Sequence, residues 1–271
     1  MGNHLSILNQ LNEIGFEDNS EGNLPDRRRI ISIIKLIQVV LFPMYYQYES
    51  LNQNEAYQRL IDILKQEIKA SLLNDSDEEK VEEITDSFMK QLPAIKKVLL
   101  TDIQAIYDGD PAAKTKAEVL LCYPGFYAIM IYRIAHVLHT LSVSFMPRIM
   151  TEYAHEKTGI DINPGASIGE YFCIDHGTGI VIGETAIIGN HVKLYQGVTI
   201  GAKSFDLDEN GNPKKSGKRH PDIGSHVIIY ANATILGGDT VIGDDCIIGG
   251  NTWIVHSLPK GTKFTKKEEL I

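Results

Sequence analysis

The chain has 271 residues, 43% of them apolar, which is enough for one large domain or two modest ones with a packed core. A formal net charge of −9 and a pI near 5.5 exclude broad nucleic-acid binding, because phosphate backbones reward a surface that is positive on balance. Cys122, Cys173 and Cys246 have no metal-ligand spacing and leave an odd thiol if two of them pair, so a reducing, cytoplasmic setting is expected.

The first residues, MGNHLSILNQLNEIG, lack a basic segment followed by an apolar one, and the most apolar stretch, IISIIKLIQVVLF, is interrupted by Lys35 and stopped by Pro43. No membrane span is expected. Up to about residue 155 the apolar spacing predicts amphipathic helices: Leu60, Leu64, Ile68 and Leu72, then Ile95, Leu99, Ile103 and Ile106, then Tyr127, Met130, Ile134, Leu138 and Leu141. Breaks are expected at Pro25, Pro43, YDGDPAA (107–113), YPG (123–125) and Pro147. The acidic NDSDEE at 74–79 reads as a solvated loop entering a helix N-terminus.

After residue 160 the period changes to six. Ile182, Ile188, Leu194 and Ile200 are in step, and so are Leu236, Ile242, Ile248 and Ile254, with glycine following most of them. Repeats of aliphatic, small residue and turn predict a parallel β-helix in which each short strand buries one aliphatic side chain in a triangular prism. The fold class is therefore α+β: an α-helical N-terminal domain over 1–155, a hexapeptide β-helix over 156–258 and a tail over 259–271. The polar stretch 201–222 interrupts the repeat, and its Lys203, Lys214, Lys215, Lys218, Arg219 and His220 mark it as a functional excursion.

Within the repeat, Asp161, Asp175, His176, His191, Arg219, His220 and His226 have no structural part in the hexapeptide pattern. His191 and His226 read as corner residues. His176 follows Asp161 by 15 residues, close to a coil of about 18, so the two are expected near each other on adjacent coils. A carboxylate beside an imidazole fixes its tautomer and stabilises the imidazolium, which suits a general base. A metal site built from His176, His191 and His220 is disfavoured because no close histidine pair supports it. Cys173 reads as a packing residue.

Over residues 92–258 the chain resembles the serine O-acetyltransferases, within the left-handed parallel β-helix acyltransferases. The resemblance is carried by DGDPAA at 108–113, YPGFYAIMIYRIAH at 123–136, DHGTGIVIGETAIIG at 175–189, QGVTIG at 196–201 and KRHPDIG at 218–224. It implies acetyl transfer from acetyl-CoA to the L-serine hydroxyl, the first step of cysteine biosynthesis from serine, with no metal. It further implies His176 as general base with Asp161 behind it, Asp110 and Asp175 on the substrate ammonium, Arg219 on its carboxylate and His220 beside the reacting atoms. Gly201, Ala202 and Lys218 would contact the coenzyme. The family also implies a homotrimer or a dimer of trimers, and a C-terminal isoleucine, here Ile271, that binds O-acetylserine sulfhydrylase. Three departures from the family pattern are visible: Asn163 in place of the usual histidine after Asp161-Ile162, a longer excursion before Arg219, and a tail without the usual closing turn. The rival readings are a hexapeptide acetyltransferase acting on a sugar or other alcohol, and a noncatalytic scaffold.

Overall fold

The computed structural model describes residues 2–14, 24–72, 77–204, 207–214 and 216–265. Ile271 lies outside the described residues. Among the described residues seven helices come first: α1 Gly2–Glu13, α2 Arg27–Leu41, α3 Gln53–Ser71, α4 Glu78–Gly109, α5 Lys116–Cys122, α6 Pro124–Thr140 and α7 Met146–Thr158. Four of their starts are capped by side chains. Asp26, Asn52, Asp77 and Thr115 each accept a first-turn N–H of the helix they precede, and Asn52 with Glu55 forms a reciprocal capping box. Leu60, Leu64, Ile68, Leu99, Met130, Ile134 and Leu138 are fully buried, in keeping with the helical periodicity.

Fourteen short strands follow among the described residues, from β1 (Asp161–Ile162) to β14 (Lys263–Phe264), wound as a left-handed parallel β-helix. The first sheet stacks β1, β4 (Val181–Ile182), β7 (Thr199–Gly201), β10 (Thr234–Leu236) and β13 (Trp253–Ile254), the second β2 (Ser167–Ile168), β5 (Ile187–Ile188), β8 (Asp222–Ile223) and β11 (Val241–Ile242), and the third β3 (Cys173–Asp175), β6 (Lys193–Tyr195), β9 (Ile228–Ile229), β12 (Ile247–Ile248) and β14. Ile162, Ile182, Ile200, Ile235 and Ile254 fill the prism from the first sheet. The residue that pairs in register with Ile200 and Ile254 is thus Ile235, and not Leu236, which lies against Gly201. The expected six-residue step slips there because β10 carries a third residue, Leu236, so that Ile235 and Ile242 are seven residues apart where Ile182 and Ile188 are six. The tail likewise departs from expectation, since β14 pairs with β12 (Ile247–Ile248) and continues the third sheet past residue 258.

One clamp fastens the helices to the prism. Asp102 on α4 is fully buried and accepts from Arg133 of α6 at 3.1 Å and from the Phe172 N–H at 2.9 Å, while Arg133 also donates to the carbonyls of Ile168 and Gly169. A buried charge pair survives only when its remaining valences are filled in this way. Among the described residues no single helix is long and apolar enough to cross a membrane.

Candidate active site

The third sheet hands the chain to the first at a corner. Between β6 (Lys193–Tyr195) and β7 (Thr199–Gly201) that corner takes residues 196–198, but between β3 (Cys173–Asp175) and β4 (Val181–Ile182) it takes residues 176–180. Correspondingly, Asp161 pairs with Val181, 20 residues on, whereas Val181 pairs with Thr199, 18 on. His176 opens this enlarged corner. It is held at φ 58°, a left-handed conformation that non-glycine residues adopt at a cost, and its side chain is 75% exposed.

Two carboxylates attend it. Asp175 closes β3 with Oδ1 3.8 Å from His176 Nε2, while its Oδ2 accepts from Lys193 Nζ at 2.8 Å. Lys193 also donates to the Gly109 carbonyl at 2.8 Å, tying the end of α4 to the prism. Burial pulls the Lys193 ammonium down, but hydrogen bonding and charge from Asp175 prevail, and its pKa is raised. Asp110 caps the end of α4, accepting from the Tyr123 hydroxyl at 2.6 Å and from Ala112 N–H at 2.8 Å. The Tyr123 bond, then the Ala112 bond, hold its carboxyl below the ordinary range, and the charges of Lys193 and His176 act in the same direction. Asp110 is therefore a carboxylate within electrostatic reach of His176.

The remaining expected residues occupy the next corner, between the first and second sheets, where residues 184–186 meet the end of the long excursion. His220 is 8% exposed and lies against Gly183, whose backbone approaches so closely that a β-carbon would fall 2.0 Å from its Cδ2. The Thr185 N–H donates to His220 Nδ1 at 3.1 Å, which leaves the ring hydrogen on Nε2. Burial first, then the Arg219 cation, push the His220 pKa down to about 4, so the ring is neutral at physiological pH. Arg219 pairs with Glu184. Lys218 donates to the Thr185 carbonyl at 2.6 Å and pairs with Asp222. A cavity of about 380 Å³ opens beside them, lined by Lys203, Lys214, Lys218 and Arg219 together with Gly237 and Gly238. Gly201 ends β7, its carbonyl accepting from the Gly237 N–H at 3.1 Å, and Ala202 follows directly.

Asp161 opens β1, whose register with β4 sets it opposite Val181, five residues beyond His176. Neither a hydrogen bond nor an ion pair joins it to His176, and its carboxylate lies within 4.8 Å of the donor atoms of Glu152 and His155. His176, His191 and His220 stand on three different corners, so one chain does not converge them. His191 and His226 stack on one another at 4.7 Å, with Tyr171 below them, as corner residues. Cys173 is buried, and burial pushes its thiol up to about 12, which suits packing rather than nucleophilic attack. The sequence reading missed Lys193, Tyr123, Glu184 and Thr185. Glu184 and Thr185 stand in the GETA segment immediately after a prism strand, where outward polar residues are a signal; Lys193 is one coil above Cys173 and becomes visible only once the register is known.

Residues 40–130 match the family described as "Serine acetyltransferase, N-terminal". A plasmid-encoded serine acetyltransferase of Synechococcus elongatus is 42% identical over 258 residues, covering 88% of this chain and 81% of the relative. The chain belongs to the serine acetyltransferase family. A Synechocystis serine acetyltransferase is 49% identical over 139 residues, 51% of this chain and 52% of that one. The fold agrees over nearly its full length with Entamoeba histolytica serine acetyltransferase 1 crystallised with L-cysteine, at a TM-score of 0.77 and 36% identity, covering 97% of each chain. As a serine acetyltransferase the chain is an acyltransferase, and the hexapeptide prism with a helical N-terminal region is the architecture of its relatives.

Proposed function

We propose that the chain transfers the acetyl group of acetyl-CoA to the hydroxyl of L-serine, with His176 as the general base. One observation carries this reading: an exposed imidazole is held at an enlarged corner, beside Asp175 and within reach of the ionised Asp110. His176 takes the hydroxyl proton as the serine oxygen attacks the thioester carbonyl. The tetrahedral oxyanion then collapses, the carbon–sulfur bond breaks, and the imidazolium returns its proton to the leaving thiolate. Asp110 and the free side of Asp175 receive the substrate ammonium. Arg219, already oriented by Glu184, receives its carboxylate in a forked pair. His220, neutral and carrying its hydrogen on Nε2, is suited to donate to the oxyanion.

The two halves of this site lie on different corners of one chain, which supports a site shared between neighbouring copies in a trimer or a dimer of trimers. The cavity bearing Lys203 and Lys214 is the seat we assign to the anionic end of acetyl-CoA. Lys218 sits at the same cavity, with its ammonium largely committed to Asp222 and Thr185.

The reading is tested by following thiol release from acetyl-CoA with L-serine, homoserine, threonine and a sugar acceptor. Release that depends on L-serine is expected. Release with the sugar alone would overturn the assignment.

A further inference from the structure

We propose that Thr185 is the positioning residue that sets the tautomer of His220 and the seat of Arg219; the proposal rests on the roles given to those two residues above. Each polar group of Thr185, its hydroxyl, N–H and carbonyl, is engaged by the segment 218–220. Its hydroxyl oxygen accepts from the backbone N–H of Arg219 at 3.0 Å and of His220 at 3.1 Å, which uses both lone pairs. The hydroxyl hydrogen is then left for His220 Nδ1, 2.9 Å away. The Thr185 backbone N–H reaches the same nitrogen at 3.1 Å, and the Thr185 carbonyl accepts from Lys218 Nζ at 2.6 Å.

An Nδ1 facing two donors carries no hydrogen, so the ring presents Nε2–H and resists a second proton. The same contacts gather the end of the excursion, three successive residues that lie 33 to 35 positions beyond Thr185. Loss of the hydroxyl strands two backbone donors and releases one of the two constraints on the ring. Threonine is apt here because branching at Cβ stiffens χ1 and holds the hydroxyl in one place.

The experiment uses the full chain with ¹⁵N-labelled histidine, as wild type, Thr185→Val, Thr185→Ala and Thr185→Ser. Imidazole nitrogen resonances read the His220 tautomer across pH, and steady-state kinetics are measured alongside. In wild type His220 stays Nε2–H and neutral until the pH approaches about 4. In the valine and alanine variants the tautomers mix, protonation moves to higher pH, and kcat/KM for serine drops about 10²-fold, the scale expected when a reacting group is misplaced by about 1 Å. The serine variant restores both readouts. Wild-type His220 resonances in every folded Thr185→Val or Thr185→Ala sample overturn the proposal, and so does a changed tautomer accompanied by wild-type kinetics. A His220→Gln variant measured in parallel separates the two layers: if it keeps wild-type kcat/KM, the catalytic role of His220 fails on its own, whatever the tautomer does.

Discussion

The imidazole of His220 lies against the backbone of Gly183, with room for a hydrogen and none for a methyl group: an added β-carbon would stand 2.0 Å from Cδ2 and 2.1 Å from Nε2. Gly183→Ala therefore has to expel the ring from its pocket. The prism core beneath it, Ile182 and Ile200, is untouched, so the protein is expected to fold while kcat/KM for serine falls about 10²-fold. Circular dichroism together with thiol-release kinetics checks both halves of that statement.

Burial of His220 also makes stability depend on pH. Its folded pKa, about 4, lies below the ordinary histidine value, so the unfolded chain takes up a proton near pH 6.5 that the folded chain refuses until about pH 4. Folding is thus favoured fully above pH 6.5 and loses up to about 3 kcal/mol from this group as pH falls through that window. Urea unfolding of wild type and His220→Gln, compared at pH 7 and pH 4.5, should show wild type losing more stability than the variant.

Tyr123 holds Asp110 ionised. Its hydroxyl is the first cause of the lowered Asp110 pKa, so Tyr123→Phe raises that pKa toward the ordinary carboxylate range. The carboxylate is then neutralised earlier as pH falls. In serine titrations of the variant, KM is expected to rise several-fold at the acid end and to change less at neutral pH, with kcat nearly retained.

Much of the architecture is legible in the sequence because a hexapeptide prism has a short repeat with one buried position. Ile182, Ile188, Leu194 and Ile200 need only to be counted. Counting fails where the step changes length. One residue more between Ile235 and Ile242 than between Ile182 and Ile188 exchanges Ile235 for Leu236, and the two added at 176–180 lengthen the step from Asp161 to Val181 to 20 residues. The residues at the tail strand β14 carry lysine and threonine beside Phe264 in place of the aliphatic–glycine signature, so its pairing with β12 has no local mark. Within the site, the types and positions of His176, Asp175, Asp110, Arg219 and His220 can be read from motifs. The contacts that set their charge states cannot, because Tyr123, Lys193 and Thr185 reach them across coils, through backbone groups and register that only the fold brings together.

The separation of the site over two corners gives a direct test of sharing between copies. His176→Ala and Arg219→Ala chains are expected to be nearly inactive alone. Denatured together in equal amounts and refolded, they should regain on the order of a quarter of wild-type sites by random mixing, because some interfaces then unite an intact His176 with an intact Arg219. Recovery no greater than the sum of the two separate samples would place each site within a single chain.

The central claim is that His176 removes the serine proton, and it is tested most directly by thiol release from acetyl-CoA at saturating L-serine in wild type and His176→Ala. General-base assistance is worth about 10² to 10⁴ in rate, so kcat in the folded variant should fall by that factor. A folded His176→Ala protein that turns over at the wild-type rate would contradict the mechanism.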